Sequence, residues 1–229
     1  MSTFTPSKKY LFKKLKKFLN DNKNKNIGID LASESFKNSV YFKTKKYLGV
    51  DINLNEIKLG LENFKSKKNY GIHWDFTKKN TLGKNFADVV VSTNSLSHIN
   101  SFKKKISAVK NFIEIAAYNG EIFIQTELFD RSTKKILEIV NQNCNQVNIS
   151  YYHNIFSQLY LSIWRNNISK SKFVEFLNTI KFNYLVSLTE NLTSNLKFLN
   201  TKIIIIATVN KLKRRKKINI KFKKITRLI

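Results

Sequence analysis

The sequence predicts an α/β domain in which helices cover both faces of a doubly wound, mostly parallel sheet. Short apolar runs alternate with segments of helical periodicity from Asn26 to Val140, and this alternation is typical of parallel strands joined by crossover helices. Three of the apolar runs lead to an acidic residue, namely Asp30, Asp51 and Asp75. Such sheets bind ligands outside the carboxyl ends of their strands, so these acids are expected at a ligand-binding edge.

The individual elements are predicted from hydrophobic spacing, which repeats every 3.6 residues in an amphipathic helix and is continuous in a buried strand. In the alternating part we predict strands at 26–31, 47–52, 71–76, 86–92 and 121–126, and helices at 54–64, 102–117 and 132–140. Beyond Val147 we predict a strand at 147–153, helices at 156–164 and 170–180, and strands at 184–188 and 203–208.

The size and composition of the chain suit a single domain. Its 229 residues are 42% hydrophobic, which allows a substantial core. We expect the domain to span residues 1–209, with a basic amphipathic helix within 1–25 and a substrate-side insertion at 147–182. Residues 210–229 carry many basic residues and no acidic one, and they are expected to form a tail.

The N-terminal segment has two interpretations. Between Tyr10 and Leu19, apolar residues recur at helical spacing while the other face carries lysines. We favour a helix that covers the edge of its own domain, because surface helices are normally amphipathic. The alternative is a basic helix that lies on an anionic membrane face.

The charge balance is strongly basic. Lys and Arg number 42 against 15 Asp and Glu, which gives a formal net charge of +27. One interpretation is a polyanionic partner, either nucleic acid bound through the basic tail or an anionic membrane surface. The interpretation that we favour is a composition bias, because nearly all of the basic residues are lysines. Arginine, the residue best suited to bidentate phosphate recognition, is scarce.

The single cysteine, Cys144, excludes a disulfide framework and a cysteine-based metal site. The three histidines and this cysteine fall at unrelated spacings, so no metal site is predicted. The first 19 residues have no secretory apolar core, and the longest aliphatic run, Ile203 to Ile206, is too short to span a bilayer. We therefore expect a soluble, cytoplasmic protein.

Four segments carry a resemblance to a known family. They are 27–36 (IGIDLASESF), 47–52 (YLGVDI), 73–76 (HWDF) and 86–99 (FADVVVSTNSLSHI). In this order and spacing they resemble the class I S-adenosylmethionine-dependent methyltransferases, especially the small type 11 members. The resemblance implies a Rossmann-like, doubly wound sheet with an antiparallel C-terminal strand. It also implies S-adenosylmethionine as cofactor and methyl transfer to a small molecule, glycan or lipid-linked intermediate.

The resemblance assigns roles to the acids that follow the strands. Asp51 has the clearest role, because a carboxylate at a strand end can accept hydrogen bonds from both hydroxyls of a ribose. The resemblance implies that Ile52 packs on the adenine, and that Asp75 accepts from the adenine amino group with the Phe76 backbone nearby. It places Asp30 below a glycine-rich loop, where it helps position the amino-acid end of the cofactor. The alternatives are a cap of the following helix for Asp51, an exposed turn for Asp75, and a turn or cap for Asp30.

The segment at the family's glycine-rich loop departs from the family pattern. Ala32, Glu34 and Phe36 occupy the three alternating positions where the family usually has glycine. Glycine there allows a tight turn and a close approach of the backbone to the ligand, and Glu34 adds negative charge near a cofactor carboxylate. Either the loop forms a turn of another shape in which Ala32 still contacts the cofactor, or its side chains fill the cleft.

The residues after the fourth strand are candidates for the substrate side of the site. Asn94 is expected to contact the cofactor, because family members often place cofactor or substrate contacts there. His98 is a candidate general base, given its near-neutral intrinsic pKa, and a structural role is its alternative.

Three functions therefore stay open from the sequence. The first is a methyltransferase acting on a small molecule, glycan or lipid-linked intermediate. The second is a nucleic-acid (RNA) methyltransferase or binding module that uses the basic surface. The third is a degenerate, non-catalytic member of the fold.

Overall fold

A computed structural model describes residues 5–165 and 180–210. Within these ranges, strands and helices alternate through most of the chain. The strands are β1 (Ile27–Leu31), β2 (Lys46–Asp51), β3 (Asn69–His73), β4 (Ala87–Ser92), β5 (Ala116–Glu127), β6 (Cys144–Asn154) and β7 (Asn200–Val209). The helices are α1 (Pro6–Asp21), α2 (Leu54–Asn63), α3 (Phe102–Ile115), α4 (Thr133–Asn143), α5 (Ile155–Arg165) and α6 (Ile180–Thr193).

The described strands form one sheet in the order β3-β2-β1-β4-β5-β7-β6. Strands β1 to β5 pair in parallel, and β7 is antiparallel to both of its neighbours, β5 and β6. The predicted fold class, a mostly parallel sheet with an antiparallel C-terminal strand, is confirmed. The strand order reverses between β1 and β4, and ligands bind such sheets at the carboxyl ends of the strands beside this reversal.

Each face of the sheet has its own apolar core, because neighbouring residues of a strand point to opposite faces. Val90 of β4 joins the core that includes helices α3 and α4. Val89 and Val91 join the other core, which includes α1 and α2. Helices therefore cover both faces, as predicted.

Helix α1 packs on its own sheet. Thr5 caps its first turn by accepting the Lys8 backbone N–H, and Pro6 begins the helix, in agreement with residue preferences at helix starts. Its apolar residues, including Leu11 and Leu15, are buried against the sheet. This packing agrees with the interpretation that we favour from the sequence, in which the N-terminal helix covers its own domain. In the described ranges, the structure contains no helix long and apolar enough to cross a membrane.

One predicted element is wrong. Residues 184–188, predicted as a strand, lie within helix α6. A short apolar run does not distinguish a strand from a buried helix. The helical period becomes visible only with the polar residues Asn183, Glu190 and Thr193, which are buried on one face together with Val186.

Some predicted boundaries shift, and some predictions lie outside the described residues. β3 ends at His73, so Asp75 lies in the loop that follows it. The insertion predicted at 147–182 stays a prediction, and its first eight residues complete β6. The predicted helix at 170–180 and the predicted tail at 210–229 lie outside the described residues, except for Ile180 and Asn210.

Candidate functional site

A cavity of about 530 Å³ opens where the parallel strands end, and we call it the edge cavity. Most of the residues predicted to bind the cofactor line it. They are Ala32, Asp51, Ile52, Asp75, Phe76 and Asn94. His98 lines it too, whereas Asp30 lies outside the lining. Sequence reasoning missed Thr93, Asn100, Ser101 and Lys104, which also line the cavity. The fold thus brings together residues up to 72 positions apart (Ala32 and Lys104).

Asp51 is the buried acid of the edge cavity, with 8% of its surface exposed. Its Oδ2 accepts the Glu34 backbone N–H at 2.9 Å, and its Oδ1 accepts the Asn53 backbone N–H at 2.9 Å. A carboxylate offers about four lone-pair positions, so each oxygen can accept one further hydrogen bond. The cap of α2 is Asn53, which accepts the Asn55 backbone N–H at 3.0 Å. The helix-cap alternative for Asp51 is therefore not observed.

The loop after β1 keeps a left-handed backbone without glycine. Ala32, Glu34 and Phe36 have φ angles of 59°, 45° and 61°. These are the three positions where the resemblance implies glycine, and we call residues 32–36 the β1 loop. A left-handed conformation costs a residue with a Cβ about 1–2 kcal/mol. The β1 loop therefore stores backbone strain that its surroundings must offset.

The side chains of the β1 loop leave the edge cavity open. Phe36 is fully buried in the core beside Tyr47 and does not line the cavity. The Glu34 carboxylate lies 3.1 Å from Lys37 Nζ, and both side chains are largely exposed. The blocked cleft that the degenerate interpretation requires is not observed.

Replacing Glu34 by glycine is expected to raise the free energy of unfolding by about 1 kcal/mol, because glycine adopts a positive φ without a Cβ penalty. Chemical denaturation measures this change. The matched control is Glu138→Gly, which removes a similar pair with Lys135 three residues away, but from the regular helix α4. Glycine destabilises a helix interior, so the control is expected to have the opposite sign. A loss of stability in both variants would show that Glu34 carries no strain.

Asp30 lies at the base of the β1 loop and is completely buried. The Tyr47 hydroxyl donates to its Oδ2 at 3.0 Å, and the Asn38 amide donates to its Oδ1 at 3.4 Å. Burial raises the pKa of Asp30 to about 7, with smaller contributions from the charges of Asp51 and Glu34, while these two hydrogen bonds act to lower it. Its predicted contact with a cofactor stays a prediction.

The buried Asp30 carboxyl is expected to make stability depend on pH. Its folded-state pKa of about 7 lies above the ordinary 3.8, so between these values the folded protein binds a proton that the unfolded chain has lost. Stability therefore falls as pH rises through this window. As pH rises, the free energy of unfolding of the wild type should fall by up to about 1.4 kcal/mol more per pH unit than that of Asp30→Asn. Denaturation curves at pH 5, 6 and 7 test this prediction, and parallel pH profiles would contradict it.

Asp75 is a charged acceptor on the wall of the edge cavity. Its Oδ1 accepts the Thr77 hydroxyl at 2.7 Å and the Thr77 backbone N–H at 3.0 Å. Burial acts to raise the pKa of Asp75, but these hydrogen bonds and the charges of Lys78 and Lys104 lower it overall. Asp75 thus keeps its charge at neutral pH.

Asn94 is held in place by a residue that sequence reasoning missed. Its φ is 56°, and its backbone N–H donates to Gln125 Oε1 at 2.6 Å. Gln125 is a fully buried amide that directly follows the apolar residues 122–124 of strand β5. The sequence signal that could have indicated Gln125 was a polar residue next to an apolar run. His98 ends a 3₁₀ turn beyond Asn94 and is exposed where it lines the cavity.

Comparison with known proteins identifies the fold. No protein-family model and no curated protein sequence matches the chain. Among solved structures, the N-methyltransferase NodS from Bradyrhizobium japonicum, in complex with S-adenosyl-L-homocysteine, matches with a TM-score of 0.61. The two chains are 9% identical, and the match covers 90% of this chain and 89% of NodS. The chain has the class I methyltransferase fold.

Further structures with this class I methyltransferase fold differ in what they do. Phosphoethanolamine N-methyltransferase 2 from Haemonchus contortus matches at a TM-score of 0.55 and 13% identity over 86% of this chain, which spans about half (53%) of that protein. The [4+2]-cyclase SpnF also matches, at a TM-score of 0.55 and 9% identity over 89% of this chain and 82% of SpnF. A fold supports different reactions, so function must be argued from the edge cavity.

Proposed function

We propose that the protein binds S-adenosylmethionine in the edge cavity and transfers its methyl group to a small-molecule acceptor. The observation that carries the proposal is Asp51, a buried carboxylate at the end of β2. Two backbone N–H groups fix its position, and an open cavity lies before it. NodS and the Haemonchus enzyme, which share the fold, were both crystallised with S-adenosylhomocysteine.

The residues around the cavity fit each part of this cofactor. Asp51 offers lone pairs to ribose hydroxyls, and Ile52, with 62% of its surface exposed, offers an apolar face to the adenine. Asp75 is a charged acceptor for the adenine amino group. The strained β1 loop brings the Ala32 backbone to the cavity wall, where it can contact the amino-acid end.

In the proposed reaction, the protein acts mainly by positioning the methyl donor and the acceptor. The bound cofactor supplies an activated methyl group on its sulfonium, so the protein needs to hold donor and acceptor in line. His98 and Ser101 also line the cavity, and the proposal assigns them to the acceptor. His98 is the candidate to take a proton from an acceptor that loses one on methylation.

A small-molecule acceptor is favoured over a macromolecule. The Haemonchus enzyme, which has the same fold, was crystallised with phosphomonomethylethanolamine, a small molecule. A glycan or lipid-linked acceptor stays within the same proposal. Nucleic-acid binding rests on the net charge of +27 and on the basic residues of 210–229, and steep salt dependence of RNA binding would be its evidence.

Calorimetric titration of the full chain with S-adenosylhomocysteine tests the proposed cofactor site. We expect saturable binding of one molecule per chain. Methionine, which lacks the adenosyl part that Asp51 and Asp75 are proposed to hold, should bind much more weakly. If the wild type gives no binding heat with S-adenosylhomocysteine, the proposed function is wrong.

A further inference from the structure

Phe36, the last residue of the β1 loop, fills a slot built from two glycines. A Cβ built at Gly60 of α2 would lie 2.5 Å from Phe36 Cγ. A Cβ at Gly49 of β2 would collide with the same ring. The slot therefore exists because these two positions lack side chains.

We propose that Phe36 is the anchor that holds the β1 loop in its left-handed, cofactor-binding conformation, an inference that rests on the proposed function. Left-handed residues with side chains persist only where the surrounding structure determines them. Phe36 is itself left-handed and completely buried, so its ring cannot leave the slot without exposing apolar surface. The burial of this ring offsets the strain that glycine would have avoided.

Hydrogen bonds connect the anchor to the residues that line the cavity. The Phe36 backbone N–H donates to Ser33 O at 2.9 Å, and the Ser33 N–H donates to Val50 O at 3.0 Å. Between them, the Glu34 N–H donates to Asp51 Oδ2. Fixing Phe36 therefore fixes the backbone donor that orients the Asp51 carboxylate.

The ring also supports the floor of the loop. It packs edge-on against Tyr47, with the ring centroids 5.4 Å apart. The Tyr47 hydroxyl is the donor to Asp30 below the loop. Phe36 is thus a positioning residue that acts through Asp51 and does not itself line the cavity.

The test compares Phe36→Ala with Phe42→Ala in the full chain. Phe42 is equally buried, packs on Tyr47 at 4.9 Å, and fits against Gly28, but it lies outside the β1 loop. Both substitutions should reduce stability, because each removes a fully buried ring. Only Phe36→Ala should weaken S-adenosylhomocysteine binding. We expect a loss of about tenfold, which corresponds to a β1 loop that adopts its binding conformation in about one molecule in ten.

A rescue experiment distinguishes a residue that holds the β1 loop for binding from one that only stabilises the core. Adding Ala32→Gly and Glu34→Gly to Phe36→Ala removes the Cβ penalty at these two left-handed positions. This should restore most of the binding affinity while the lost core stability is not restored. If Phe36→Ala binds S-adenosylhomocysteine as the wild type does, or if Phe42→Ala weakens binding equally, the inference is overturned.

Gly60→Ala provides the test if Phe36→Ala does not fold. Its Cβ would displace the Phe36 ring, while alanine is favourable in a helix. Weaker binding by the folded Gly60→Ala variant supports the anchor, and unchanged binding overturns it. If the wild type itself fails to bind, the proposed function is wrong instead, so the two failures are distinguishable.

Discussion

Replacing Asp51 by asparagine is expected to weaken S-adenosylhomocysteine binding by about 100-fold, since hydrogen bonds to a charged group contribute roughly 1.5–3 kcal/mol each. Both Asp51 oxygens already accept a backbone N–H, from Glu34 and from Asn53. An asparagine has one oxygen and one NH₂ group, so one of these N–H groups would face a donor. The substitution thus removes ribose acceptors and also disturbs the β1 loop.

Asp88→Asn is the matched control for this prediction. Asp88 Oδ2 accepts the backbone N–H groups of Asn26 and Ile27, both at 2.9 Å. These groups lie where β1 begins, whereas the edge cavity lies where the parallel strands end. The control therefore removes the charge of a carboxylate that accepts two backbone N–H groups away from the edge cavity, and because one oxygen accepts both, the asparagine amide oxygen can keep both hydrogen bonds. Calorimetry should show unchanged affinity for Asp88→Asn. Equal losses in the two variants would mean that Asp51 acts only on the fold.

Replacing Glu190 by alanine is expected to lower the free energy of unfolding by about 4 kcal/mol, because it leaves several buried donors without an acceptor. Glu190 is completely buried. Its carboxylate accepts the Ser7 hydroxyl at 3.3 Å, the Ser157 hydroxyl, and the His153 backbone N–H at 2.8 Å. These donors lie on α1, α5 and β6, so one side chain of α6 joins three other elements.

Chemical denaturation measures the effect of Glu190→Ala. Burial raises the pKa of Glu190, while its hydrogen bonds act to lower it, and Glu190→Gln should therefore retain part of the network as a neutral acceptor. Glu138→Ala, which removes a glutamate from the surface of α4, is the control and should change stability little. If Glu190→Ala is as stable as this control, the network does not hold these elements together.

The acidic residues of the edge cavity could be predicted because their positions follow from a regular pattern. Asp51 directly ends an apolar run and precedes a helix, and parallel strands end at the same edge. The contributions of Gln125 and Lys104 could not be predicted in this way. Each reaches the site through the placement of a distant element, β5 or α3, which the local sequence does not encode.

The shape of the β1 loop was the least predictable feature of the site. Residues with a Cβ rarely adopt positive φ angles, so Ala32, Glu34 and Phe36 argued against a glycine-like turn. The compensation lies far away in sequence, at Gly49 and Gly60, and becomes visible only when the fold brings these two glycines together around Phe36. The resemblance located the loop correctly, and tertiary packing determined its shape.

Helix α6 is a part of the fold that could not be predicted from the local sequence. Residues 184–188 form an apolar run that local propensity does not assign to a strand or a helix. In the folded protein, Asn183, Val186, Glu190 and Thr193 are buried at helical spacing, and Glu190 accepts hydrogen bonds from Ser157 and His153.

A crystal structure of the protein with S-adenosylhomocysteine tests the central claim most directly. The account predicts the nucleoside in the edge cavity, with its ribose hydroxyls within hydrogen-bond distance of the Asp51 carboxylate and the β1 loop unchanged in its left-handed conformation. A nucleoside bound elsewhere, or a β1 loop that rearranges so that Phe36 leaves its slot, would contradict the account.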